Sequence, residues 1–247
     1  PEKSGFTMPL PITKLLEKID EADGSMSFRF EKPPGFEYTA GQFADYTLID
    51  PPETDAEGDI RGFSLSSAPY EPFLMATTRL RDTAFKRVLR DAPIGTELEL
   101  DAPYGSFTLH NNVTRPAVFL TGGIGVTPAR SMALQSVHDA TGHRIVLLYS
   151  SAVPSKAVFL SELVRLGQDN ENVTVAPTMT RLDGSGESWS GETGHIDAAM
   201  LSRYVDDVAA PIYYVCGPGP MVKAMRAVLD SAGVDSDDIR TEEFTGY

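Results

Sequence analysis

Short apolar runs broken by Gly and Pro fill the first ~110 residues, and their spacing is that of strands rather than helices. Residues 26–30, 42–49, 62–66, 73–80 and 96–100 each read as a strand, and only residues 84–90 have helical spacing, enough for two turns. Many short strands at this interval predict a closed antiparallel β-barrel. From Arg115 the pattern becomes strand, turn and helix in alternation. Residues 117–120, 144–149, 173–175 and 212–215 are apolar runs of strand length. Helices are expected over 128–140, with Pro128 at the first position and Thr127 as cap, and over a stretch capped by Ser155 that carries Phe159, Leu163 and Leu166. Two more are expected near 197–204 and from Pro220, where Met221, Met225 and Val228 share one face. Such alternation predicts a parallel sheet covered on both sides. The expected architecture is therefore two domains, an antiparallel barrel over 1–112 and an α/β domain over 113–247, with no internal repeat.

Composition narrows the function classes. The 247 residues are 41% apolar, ordinary for a globular protein, and contain no apolar run long enough to span a bilayer. The amino terminus lacks the apolar stretch of a secretory leader, so the expectation is a cytoplasmic protein. A formal charge of −14 argues against nucleic acid and anionic membranes as partners. Cys216 is the only cysteine, which excludes an internal disulfide and a four-cysteine cluster or zinc site within the chain. The four histidines form no ligand pattern, and no metal is expected.

Three stretches carry chemistry. Gly122, Gly123 and Gly125 follow an apolar strand and lead to Thr127 and Pro128 at a helix start, where backbone N–H groups and the helix dipole favour a diphosphate. A packing turn without a ligand has the same signature. Cys216, Gly217, Pro218, Gly219, Pro220 and Met221 end the last apolar strand in the same way. Two such turns at strand carboxyl ends point to one crevice. In the barrel half, Arg61, Phe63 and Ser64 sit on one strand, with Arg61 and Phe63 on one face and Ser64 on the other unless a bend re-aims them. A guanidinium suits a diphosphate, a ring suits a flat cofactor, and a hydroxyl can meet a ring nitrogen.

In this order and spacing the three stretches resemble the ferredoxin-NADP reductase superfamily, whose members carry R-x-Y-S-x-x-S, G-G-x-G-x-x-P and C-G-P-x-x-M. The likeness covers nearly the whole chain, and Phe63 stands where the family has Tyr. It implies that Arg61 binds the diphosphate of FAD, that Phe63 packs on the flavin, and that Ser64 bonds near flavin N5. It also implies that the 76–78 strand (Ala76, Thr77, Thr78) edges the flavin and that Thr83, Ala84 and Phe85 receive the diphosphate. Lys86 departs from the hydroxyl the family often has there. In the second domain Gly123, Gly125 and Thr127 would hold the nucleotide, while Cys216, Gly217 and Pro218 would border the nicotinamide. Glu242 matches the family acid in an E-x-F ending, and either Phe244 or Tyr247 would cover the flavin. Ser64, Cys216 and Glu242 are the catalytic candidates.

The resemblance implies hydride transfer between NADH or NADPH and FAD, then single-electron steps to a separate carrier protein such as ferredoxin or to an oxygenase component. A reductase of free flavin or ferric chelates, and an electron-transfer subunit of a larger complex, share the same motifs. Few cations follow Tyr149, only Lys156 and the distant Arg181, which favours NADH. The run containing Arg79, Arg81, Lys86, Arg87 and Arg90 against Asp82 reads either as cofactor contacts plus a solvated helix face or as a docking patch formed by Arg81, Arg87 and Arg90.

Overall fold

The computed structural model describes residues 10–244. Six antiparallel strands form the first sheet: β1 (Ile12–Ala22), β2 (Ser25–Glu31), β3 (Phe43–Leu48), β4 (Ile60–Ser64), β5 (Phe73–Arg79) and β6 (Glu97–Tyr104), in the order β4-β3-β6-β1-β2-β5. A bridge between Leu65 and Ala76 brings the two outer strands together, giving the expected barrel-like closure. Its interior is built from alternate positions, among them Leu15, Phe28, Phe30, Tyr46, Leu74, Leu98 and Leu100, all nearly inaccessible. Helix α1 (Ala84–Asp91) plugs one side of it with Phe85 and Leu89.

Six parallel strands follow: β7 (Ala117–Gly122), β8 (Ile145–Ser151), β9 (Val173–Met179), β10 (Glu192–Thr193), β11 (Ile212–Pro218) and β12 (Ile239–Phe244). Their order is β10-β9-β8-β7-β11-β12, so the chain runs outward from β7 on one side and then returns to its other side at β11. That reversal opens a crevice at the carboxyl ends of β7 and β11. Helices α2 (Val126–His138), α3 (Leu160–Asp169), α4 (Ala198–Tyr204) and α5 (Gly219–Ser231) pack on the two faces over separate apolar clusters. Among the described residues no helix is long and apolar enough to cross a membrane.

First, two helix starts are corrected. Helix α2 begins at Val126, so Thr127 and Pro128 lie inside it and Thr127 is not its cap. Ser155 does not cap α3. It lies in a single 3₁₀ turn, Pro154–Lys156, and its hydroxyl and amide both donate to Glu187, while α3 begins after Phe159, which adopts a left-handed conformation (φ 58°). Second, β1 is an eleven-residue strand that the apolar pattern had not shown, because its outer face carries charge at several positions.

The halves are keyed together by α2. Arg130, 3% exposed, donates from Nε and Nη2 to Glu162 (2.6 and 2.7 Å) and from Nη1 to the carbonyl of Ser66 (2.6 Å) and to Glu71 (2.9 Å) in the barrel. Ser131 adds a bond to the carbonyl of Ser67 (2.6 Å). The guanidinium fork suits this role because it satisfies two carboxylates and a carbonyl at once.

Candidate functional site

A cavity of about 520 Å³ opens where the barrel meets the parallel sheet. Strand β4 supplies Arg61, Phe63 and Ser64, and all three line it. Strict alternation would turn Ser64 away. The chain ends its pairing with β3 at Ser64 and turns toward the Leu65–Ala76 bridge, which breaks the alternation and leaves Ser64 in the cavity wall with its hydroxyl buried. Thr77 and Thr78 line the adjoining wall from β5, and Thr83 lies at the start of α1. From the second half come Ile124, Thr127 and Phe244.

Other residues singled out in the sequence stand behind this wall. Ala76 is buried in the bridge, and Phe85 packs in the barrel interior with its ring 5.9 Å from that of Phe63. The amide of Ala84 donates to Asp55 Oδ2 at 2.7 Å. Cys216 is buried beneath Gly125: a Cβ on Gly125 would lie 2.4 Å from the Cys216 carbonyl oxygen and 2.7 Å from Gly217 Cα. Backbone therefore meets backbone at the crevice floor, and the two glycine turns form one surface. The Cys216 thiol lies 4.0 Å from Glu242 Oε2 on the paired strand β12. Burial, and then the Glu242 charge, push the thiol pKa up, so the sulfur is a neutral thiol. Burial alone raises Glu242 to about 7. The hydroxyl of Thr127 donates to the carbonyl of Ile124 at 3.0 Å, which fixes the glycine turn. Tyr247 lies outside the described residues.

A second cleft of about 400 Å³ continues from the first and shares Arg79 with it. Gly122, Gly123, Pro218 and Met221 form its floor, Ser150 and Ser151 end β8 beside it, and Asp23 and Ser25 reach it from the barrel. Lys156 and Arg181 both line it, so the cation that looked distant in the sequence is brought to the same place. His195 also belongs here and carried no signal that sequence reasoning could use.

The first cavity has the marks of a site for a flat, anionic ligand. Ser64 Oγ is buried, as is Thr83 Oγ1, and neither has a hydrogen-bond partner within the protein. Each such orphan costs about 1–3 kcal/mol unless a ligand satisfies it. Lys86 lines the cavity, and burial together with the neighbouring charges of Arg81, Arg61 and Arg79 lowers its pKa to about 8. A cluster of cations that depresses one of its own members calls for an anion. An isoalloxazine with a diphosphate tail matches both the orphan hydroxyls and the charge, with Phe63 and Phe244 as apolar walls.

The basic run is divided by the fold. Arg87 donates to Glu53 at 2.9 and 2.8 Å and to Asp82, and Arg90 pairs with Asp91 at 2.8 Å. Only Arg79, Arg81 and Lys86 face the cavities. A docking patch built on Arg87 and Arg90 is thereby dropped, since each is already neutralised by a neighbouring carboxylate.

Fold and geometry define a two-domain architecture, an antiparallel barrel followed by an α/β unit with a parallel sheet. The family model described as the oxidoreductase NAD-binding domain matches residues 119–227. A ferredoxin-NADP⁺ reductase from Neisseria gonorrhoeae, solved with bound FAD and NADP, superposes with a TM-score of 0.80 at 20% identity, covering 95% of this chain and 98% of the other. The glycine betaine monooxygenase reductase subunit of Chromohalobacter salexigens is 30% identical over 88% of this chain and 59% of its own length. Ferredoxin-NADP reductase B of Sorangium cellulosum is 27% identical over 87% of this chain and 89% of its own. The fold is that of the ferredoxin-NADP⁺ reductases, and residues 119–227 match the oxidoreductase NAD-binding domain. The chain spans less than two thirds of the length of the first curated relatives it matches, 59% and 64%.

Proposed function

We propose that this chain is an FAD-dependent NAD(P)H reductase module that passes electrons one at a time to a separate protein, an oxygenase component or a ferredoxin-type carrier. The observation that carries the reading is the continuity of the two cavities. Ser64, Phe244 and Arg79 line the first, and Gly123 and Pro218 line the second, which shares Arg79. A flavin in one and a nicotinamide entering from the other would meet beside the Cys216–Glu242 pair. The reading divides the chain near residue 112, between the last barrel strand at Tyr104 and the first parallel strand at Ala117.

Each residue then has a task. FAD, when bound, supplies hydride acceptance and the onward single-electron steps. Ser64 offers its unpaired hydroxyl to the reacting edge of the ring, and the cations around Lys86 neutralise the diphosphate. Gly123 and Gly125 keep the turn free of side chains so that the nucleotide approaches the backbone. Gly217 and Pro218 shape the nicotinamide end. Cys216 is an uncharged packing surface. Glu242, raised to about 7, is poised beside it to take up or release a proton near neutral pH. Phe244 lies over the cavity mouth and yields to the incoming ring. Lys156 and Arg181 together in the second cleft support use of a 2′-phosphorylated nucleotide as well as NADH. A cytoplasmic location accompanies this reading, in line with a single, buried cysteine and strong negative charge.

The test is steady-state turnover of NADH and of NADPH by the flavin-loaded protein, with a one-electron protein acceptor and with free flavin. Turnover with cytochrome c or ferredoxin and little with free flavin is the expected result. Turnover with free flavin or ferric chelates alone would replace the carrier reading by that of a small-acceptor reductase.

A further inference from the structure

The loop between β3 and β4 runs Asp50-Pro-Pro-Glu53-Thr-Asp55-Ala-Glu57-Gly-Asp59, and three of its carboxylates turn back onto the barrel. Glu53 engages Arg87. Asp55 Oδ2 accepts from the amide of Ala84 at 2.7 Å, across 29 positions of sequence, and so caps α1 from outside the helix. The residue at the cap position, Thr83, makes no side-chain cap. Glu57 Oε2 accepts from Arg61 Nη2 at 2.8 Å, with Asp55 Oδ1 at 3.8 Å from the same nitrogen. Nη1 of Arg61 donates to the carbonyls of Glu57 (2.8 Å) and Ile60 (2.6 Å).

A guanidinium and a helix amino terminus are the two groups in this cavity best suited to a diphosphate, and both are held by carboxylates of one loop. Carboxylate and phosphate oxygens accept the same bonds, so these anions are chemical substitutes for one another. Glu57 also lines the cavity itself, where it would face a phosphate charge for charge. Thr83 Oγ1 stays unpaired beside the capped amide, which is the state of an anion site filled by an imperfect occupant.

We propose that Asp55 and Glu57 stand in for the flavin's phosphates, that flavin binds by displacing the 51–59 loop, and that this chain therefore holds flavin as an exchangeable ligand. The inference rests on the flavin reading of the cavity. Binding becomes an exchange of anions: two internal carboxylate contacts break as the diphosphate contacts form. The gain in affinity is the difference between the two sets, and release is speeded by a competitor tethered at high local concentration.

Titration of FAD into the flavin-free protein, followed by quenching of flavin fluorescence, tests this with Asp55→Asn, Glu57→Gln and the double variant. Asn keeps an oxygen for the Ala84 amide, and Glu57 is largely exposed, so the fold is retained. Each neutralisation should tighten FAD binding by about tenfold and slow its release, while wild type loses flavin on gel filtration. Hydrogen exchange supplies the second reading: amides of 53–58 should exchange faster once FAD is added to wild type, while the Ala84 amide, passed from Asp55 to a phosphate, stays protected. Unchanged or weaker binding by the double variant would show that the carboxylates orient Arg61 and α1 rather than compete, and would overturn the proposal. So would unaltered loop exchange. Failure of wild type and both single variants to bind any FAD would instead overturn the flavin reading beneath it.

Discussion

Replacing Arg130 by Ala should loosen the junction between the two halves more than any other single change at that surface. The guanidinium is 3% exposed and makes five bonds, to Glu162, Glu71 and the Ser66 carbonyl. Its loss leaves Glu71, whose side chain is 12% exposed, without its cation, while Glu162 at 40% exposure regains water. Breaking a buried pair costs about 3–5 kcal/mol, and the accessibility of Glu162 puts this site at the low end, about 3 kcal/mol. For a chain of this size each kcal/mol lowers the melting midpoint by about 2–4 °C, so a fall of roughly 6–12 °C is expected by calorimetry. Arg130→Lys should recover only part of it, because an ammonium cannot fork to two carboxylates. Arg130→Met combined with Glu71→Gln and Glu162→Gln should recover more, since no charge is then stranded. A midpoint for Arg130→Ala within 2 °C of wild type would refute the assignment of this cluster as the clamp.

Five further outcomes follow, four of them at the site. Arg61→Ala should weaken FAD binding by about 1.5–3 kcal/mol, measured as a raised Kd in flavin titration; an unchanged Kd removes Arg61 from the diphosphate contacts. Ser64→Ala should slow flavin reduction by NAD(P)H in stopped flow at unchanged FAD content, and an unaltered rate contradicts its placement at the reacting edge. Deleting residues 244–247 should tighten binding of the oxidised nucleotide, seen as a flavin spectral change, if Phe244 closes the cavity; equal affinity in the two forms rules that out. Two titrations have opposite signs. Glu242, raised to about 7 by burial, contributes stability that is fully present below about 4.5 and lost as pH rises to about 7, so the melting advantage of Glu242→Gln over wild type should grow across that interval and level off above it. His110, lowered chiefly by burial and bonded through Nδ1 to Tyr214 and Nε2 to the Arg115 carbonyl, contributes stability present above about 6.5 and lost as pH falls, a slope that His110→Gln should flatten in urea midpoints between pH 7.5 and 5.

The change from strand spacing to alternating strands and helices was legible because each parallel strand is buried on both faces and reads as an unbroken apolar run, as in β7, β8 and β11. Edge strand β12 was not, since Ile239–Phe244 pairs on one side only and is polar through its middle. Strand β1 failed for a related reason: its exposed face carries Lys14, Glu17 and Asp20, and its spacing mimics an amphipathic helix. In the site, the residues found from the sequence belong to short local motifs, the two glycine turns and the Arg61–Ser64 strand, where order along the chain already dictates the geometry. Arg130 and the loop carboxylates escaped because their partners lie far along the chain, Ser66 and Glu71 for one and Ala84 for the other. Arg181 looked remote for the same reason. Conversely, Arg87 and Arg90 gave a false lead, because a run of like charges in one dimension says nothing of the carboxylates folded against it.

The contact of Gly125 with the Cys216 carbonyl has a bearing on engineering. A methyl group at 125 would strike main chain, which cannot swing aside as a side chain can, so the thiol strand would have to slide along the sheet. The two turns thus behave as halves of one casting. A chimera that borrows the first turn from a relative and keeps its own second turn would inherit a mismatch at the seam, whereas grafting 121–128 together with 215–221 transfers the seam intact. Libraries aimed at new nucleotide preference are better spent at the rim, on Ser150, Lys156 and Arg181, where side chains face the cleft and the casting is left alone.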